Sequence, residues 1–286
     1  MATLSISRAW EEGAAFAARE FRLLFPIAFL FLALPAIVLN LVMPQDQSPE
    51  MYQMAEWVRR NGIGIFLLIT ILIALVQLVL NMFGNLALTF LALRPGTSVS
   101  ESFRAAGRRL PAVLGAVLLV VVAVVALLFV PLWLLASSGG GDQVPGSSGE
   151  LSPGLALIPL IIMLLFLALA ARLLPVTAVG VAEQLGPVRI IRRSWQLTKG
   201  HFWKLFGSLL LLGLVYVIMS AAVGAVIGLF LIGTGGSPTI STTGSFILSL
   251  VGGLLASIVS VFTMPFFARI YAQLSGRVGE VGEVFR

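Results

Sequence analysis

Apolar residues along the chain gather into six long runs, roughly Leu23–Val42, Ile63–Phe83, Ala112–Leu135, Leu155–Ala171, Leu205–Leu231 and Phe246–Phe267. About 20 apolar residues of helix cross a bilayer core of about 30 Å, so the pattern predicts six spans and an all-α membrane protein. Mixed segments precede the odd-numbered runs. Ile6, Trp10, Ala14, Ala17 and Phe21 make one apolar stripe; Val99, Phe103, Ala106 and Leu110 make a second. A third comprises Val188, Ile191, Trp195, Thr198 and Phe202. Steps of three and four residues put each stripe on one helical face, with basic residues opposite. A basic, aromatic-bearing helix too polar to span is predicted to lie in the membrane interface. Ser48 and Pro49 begin a short surface helix over 48–60, and the Gly/Ser-rich connections at 137–153 and 234–244 read as loops.

The pattern repeats. A spacing of 90 residues superposes Ala92, Ala182 and Ala272, then Gly96, Gly186 and Gly276, and matches Pro175 with Pro265. The expected organisation is one membrane domain over residues 1–286 built from three parallel two-span units, each preceded by its interfacial helix. The units are about 1–95, 96–185 and 186–275, with 276–286 a short amphipathic tail. Pro175 and Pro265 remove backbone donors and are expected to kink or end their helices, leaving Val176–Val181 and Phe266–Tyr271 tilted or on the membrane surface.

Charge fixes the orientation this architecture implies. Of the 18 Lys and Arg residues, 16 fall on one side of the six runs. Connections rich in Lys and Arg stay in the cytoplasm, so both termini are expected there. The first run is span-length and preceded by Glu11, Glu12 and Glu20, so it is expected to be retained as a span, not cleaved as a signal peptide. Apolar residues make up 59% of the chain, which excludes an ordinary soluble domain. The net charge of +6 is explained by topology and anionic headgroups, not by a nucleic-acid partner.

Candidate chemistry is sparse. Cysteine is absent and His201 is the single histidine, so no thiolate or multi-histidine metal site exists within one chain. All 12 acidic residues lie outside the apolar runs, leaving no intramembrane carboxylate for a proton relay. No nucleophile–base pair stands out, and the expectation is a protein that is not an enzyme and needs no cofactor. Arg172 and Arg269 lie nearest the membrane interior, near the ends of their spans, within snorkelling reach of headgroups. With Arg104, Arg108, Arg109, Arg189, Arg192, Arg193 and Lys199 they form a candidate headgroup-binding set, since guanidinium forks suit phosphate. Trp10, Phe103, Trp195, Phe202 and Trp203 are the candidate interfacial anchors. Gln77, Asn81 and Asn85 share one face of the second span and are candidate cavity-lining residues. Ser220, Gly224 and Gly228 make a small-residue ridge expected to pack within the monomer.

The stretch Leu185–Gly207, LGPVRIIRRSWQLTKGHFWKLFG, resembles the glycerophosphoryl diester phosphodiesterase membrane-domain family of bacterial multispan proteins. The likeness lies in Gly186 and Pro187, the basic pair Arg192 and Arg193, the Ser194–Trp195 pair, and Gly200, Phe202 and Trp203 leading into a span. A weaker copy lies around Gly96–Arg109. The resemblance implies a bacterial inner-membrane module, not hydrolysis, because the soluble phosphodiesterase part of fused members has no counterpart in these residues. The expected role is therefore a non-catalytic integral membrane module that meets anionic phospholipid, or a membrane partner or second copy, through its basic interfacial helices. A small-molecule or lipid transporter with a central cavity between the three repeats is the alternative.

Overall fold

The computed structural model describes residues 4–42, 56, 58–60, 62–138, 153–233 and 242–276, and its regular structure there is entirely helical. Six segments are long and apolar enough to cross a membrane: Phe21–Leu39, Ile63–Leu93, Val99–Ala126, Met163–Ala182, Phe202–Leu229 and Phe246–Ser275. Helix α1 (Ile6–Arg19) is capped by Ser5, whose hydroxyl accepts from the Arg8 amide at 3.4 Å. After a break at Glu20, α2 (Phe21–Ala28) passes through a π-helical turn at Phe29–Ala33 into α3 (Leu34–Val42). Pro35 accounts for that wide turn, because its ring crowds the carbonyl four residues earlier and it offers no amide. The predicted helix over 48–60 falls largely outside the described residues, of which Glu56 and Val58–Arg60 are helical. The predicted loops and the 276–286 tail also lie almost wholly outside them.

The second span is α4 (Ile63–Leu93), and α5 (Val99–Ser138) follows after a turn at Gly96, whose φ of 88° suits glycine. Ser98 and Glu101 form a reciprocal cap at the start of α5: the Glu101 amide donates to Ser98 Oγ at 3.3 Å, and the Ser98 amide donates to Glu101 Oε2 at 3.2 Å. The separate interfacial helix expected at 99–110 is absent. Those residues are the first turns of α5, which runs on through Pro111.

The two matched prolines behave differently. The fourth span, α6 (Pro153–Leu173), stops at a turn through Leu174 and Pro175, after which α7 (Val176–Ala182) turns into the protein. Val176–Val181 are largely buried, not surface-bound, and a Cβ on Gly180 would run into the Val113 side chain of α5, which would have to shift. Helix α8 (Pro187–Thr198) leads through Gly200 to α9 (Phe202–Gly233), and α10 (Thr242–Ser275) completes the described chain. Pro265 lies inside α10 without ending it, and Phe266, Ala268, Ile270 and Tyr271 are buried.

Packing concentrates at the end of the bundle that carries the basic connections. Phe16, Leu24, Leu86, Leu88, Val113, Val179, Ile190, Val261 and Tyr271 form the main core there. Leu4, Ala9, Leu174, Leu205, Phe266 and Ile270 form a second cluster beside it. Helix α1 packs along α10, the first turns of α5 against α4, and α8 against α5, α6 and α7. Among the described residues, the opposite halves of α4 and α9 are bare. Ile63–Val76 of α4 and Leu210–Val226 of α9 expose apolar side chains around much of their circumference, which in a bilayer is contact with lipid. At the Gly224 and Gly228 ridge a Cβ would meet nothing within 4 Å among the described residues.

Candidate functional site

The three amphipathic segments each turn a row of mostly small or short residues inward, joined by Phe16 of α1 and Ile190 of α8. Ala9, Gly13 and Ala17 of α1, Ser102 and Ala106 of α5, and Ile190, Ser194 and Thr198 of α8 are buried. The predicted apolar stripes divide between protein and surface: Ala17, Ala106 and Thr198 are buried and Val99, Phe103, Leu110 and Ile191 pack on the core, whereas Trp10, Val188 and Trp195 are turned outward. Val188 is 67% exposed, Trp195 47% and Trp10 40%. Lipid solvates a large apolar side chain as well as protein does, whereas close helix approach requires small residues. Beside Val188 and Trp195 on the open face lie the exposed Arg189, Arg192 and Lys199, and Trp203 in the first turn of α9 is 78% exposed.

Three of the predicted site residues, from three helices, meet at this face. The Arg172 guanidinium, at the end of α6, lies 5.1 Å from the Trp195 ring centroid and 4.7 Å from that of Phe202. Such cation–π contacts contribute about 0.5–2 kcal/mol each, more when water is excluded. Thr198 Oγ1 comes within 3.1 Å of the Ser194 carbonyl and 3.5 Å of the Arg172 carbonyl, so α6 and α8 converge behind the rings. Arg172 Nη1, Ser194 Oγ and His201 Nδ1 are enclosed yet have no hydrogen-bond partner. An enclosed donor left unmatched costs about 1–3 kcal/mol, and more when charged. None of the ion pairs among the described residues involves Arg172.

The other predicted residues are placed differently. Arg193 points inward, its Nε donating to Glu183 Oε1 at 3.2 Å, and the Tyr271 hydroxyl donates to the same oxygen at 3.0 Å. This junction of α8, the end of α7 and α10 was not legible in the sequence, where Glu183 reads as an ordinary loop acid. Arg269, expected to snorkel to headgroups, is only 6% exposed and lies in the electrostatic field of Glu12 and Arg19 of α1. Arg104 and Arg108 are exposed and Arg109 half-buried on α5. Phe103, expected as an anchor, packs instead against Phe31 and Phe83, each with centroids 5.5 Å away.

Gln77 lines a groove of about 700 Å3 between α2–α3 and α4, walled otherwise by apolar side chains such as Phe31, Pro35 and Ile73. Asn81 and Asn85 do not line it: Asn81 Nδ2 donates to the Gln77 carbonyl at 2.9 Å, and Asn85 Oδ1 is enclosed without a partner. The groove is lateral, between two consecutive spans, not central among three units. Among the described residues no group of three or more His, Asp or Glu side chains is gathered closely enough to hold a metal ion. No curated protein and no solved structure matches the chain. Residues 152–278, which include α6 through α10 and the Arg172–Trp195–Phe202 cluster, match the family model for the membrane domain of glycerophosphoryl diester phosphodiesterase, so this region is similar to the membrane domain that Leu185–Gly207 resembles.

Proposed function

We propose that this chain is a non-catalytic, six-span module of a bacterial inner membrane that engages anionic phospholipid on the cytoplasmic side. The observation that carries the reading is the open face of α8 and the start of α9. There Val188, Trp195 and Trp203 are exposed alongside Arg189, Arg192 and Lys199. Tryptophan prefers the headgroup level, and each nearby cation gains about 1 kcal/mol from an anionic surface. The sidedness of the basic connections agrees with that surface being cytoplasmic. The packing of each amphipathic segment beside the closing span of the unit before it, with α1 on α10, supports three two-span units arranged in a ring. The description of the matched family as a membrane domain supports a module without its own chemistry.

The test is lipid selectivity in native-like bilayer discs. The protein is extracted with its surrounding lipid, and phosphatidylglycerol is quantified against the bulk membrane. Enrichment is expected, and replacing Arg189, Arg192 and Lys199 together with Gln should reduce it. A lipid belt of bulk composition around the unmodified protein would end this reading.

A further inference from the structure

We infer that Arg172 is the centre of a discrete, one-lipid site that holds the phosphate of an anionic phospholipid at the junction of α6, α8 and α9. The inference rests on the lipid-engaging role proposed above and narrows it from a diffuse basic surface to one position. Exposed Arg189, Arg192 and Lys199 supply general attraction, as mobile surface cations do. Arg172 is different because its charge is held in place. Trp195 and Phe202 fix the guanidinium at 5.1 and 4.7 Å, so little freedom remains to be lost when an anion docks. Two other cations of α8 and α9 are already engaged: Arg193 donates to Glu183, and Lys204 Nζ donates to the Leu4 carbonyl at 3.3 Å.

The unmatched groups indicate the chemistry of the occupant. Arg172 Nη1 lacks an acceptor, and Ser194 Oγ, on a residue with no exposed surface, is a further hydroxyl without a partner. A phosphate oxygen accepts from a guanidinium fork, and its charge opposes that of Arg172. Trp195, nearly half exposed, forms the outer wall, and movement of its ring gives a headgroup access to the enclosed nitrogen. The acyl chains of that lipid would continue along the bare apolar surface of α9, where Leu210, Leu211 and Leu214 are exposed. That continuity selects a lipid over a soluble phosphate ester.

Delipidated full-length protein in detergent, titrated and followed by native mass spectrometry, tests the site. Phosphatidylglycerol should bind first as a single equivalent, ahead of phosphatidylcholine. Arg172→Gln should weaken that first equivalent by about tenfold, or about 1.4 kcal/mol. Arg189→Gln and Arg192→Gln should change it less than threefold. Arg172→Lys keeps the charge without the fork and should fall between, which guards against a glutamine variant that fails to fold. If Arg172→Gln and Arg172→Lys both bind the first equivalent like the parent while phosphatidylglycerol is still preferred, the discrete site is overturned and the general reading survives. If the parent protein does not prefer phosphatidylglycerol over phosphatidylcholine, both are overturned. Displacement of the first lipid by millimolar glycerol 3-phosphate would overturn a lipid as the occupant.

Discussion

Gly13 illustrates how single residues set this architecture. A Cβ placed there would lie 2.9 Å from the Phe266 nitrogen and 3.3 Å from the Pro265 carbonyl carbon. Both are backbone atoms that cannot rotate aside. Gly13→Val should therefore force α1 off α10 and cost about 1–3 kcal/mol, the range for overpacking. Thermal unfolding in detergent should show a clearly lower midpoint, whereas Ala15→Val, at an exposed position, should leave it unchanged. A midpoint for Gly13→Val equal to that of the parent would contradict the close approach. The need for glycine at this contact was invisible in the sequence, because the chain has 29 glycines and nothing local marks the one that meets a distant backbone.

At the scale of elements, hydropathy revealed the six spans because span length is a demand of the bilayer itself. It did not show which residues of the amphipathic helices face the protein. In water an apolar stripe turns toward protein; in the interface it can equally turn toward lipid, and on α8 the stripe is split, with Ile190, Ser194 and Thr198 buried while Val188 and Trp195 are exposed. This orientation predicts an asymmetry between neighbouring positions. Ile190→Asp buries a carboxylate and should cost several kcal/mol, enough to prevent recovery of monodisperse protein. Val188→Asp should leave stability within about 0.5 kcal/mol while weakening association with anionic lipid, read by co-purified phosphatidylglycerol. Equal losses of stability would mean that α8 faces the other way. The prolines carry a similar lesson. After Pro175 the chain gains burial by folding α7 onto α5 at Gly180, whereas at Pro265 α1 packs directly on the uninterrupted helix. Residue type alone does not distinguish the two.

Across the whole molecule, the six spans and the packing of the basic end were legible to different degrees. Charge asymmetry and hydropathy are cumulative signals spread over hundreds of residues, so they survive local exceptions. The Glu183–Arg193–Tyr271 junction depends on long-range placement, with Glu183 and Tyr271 88 residues apart, and no local pattern announces it. Absence of cysteine makes sidedness directly measurable. A lone cysteine at Ser147 should react with a membrane-impermeant maleimide added outside spheroplasts, and one at Ser98 should react only after lysis. Labelling of Ser98→Cys in intact cells would reverse the orientation.

The contact between α1 and α10 also constrains how the protein is made. The Ser5 amide donates to Gln273 Oε1 at 3.0 Å across 268 residues of sequence, and Trp10 meets Phe266 edge-on at 5.5 Å. Helix α1 leaves the ribosome long before its partner exists. Its amphipathic character gives it a waiting place on the bilayer surface, from which it docks only when the final span has been inserted. Docking of α1 is thus expected to come late in biogenesis, after the α4, α5, α7 and α8 part of the basic end can already pack.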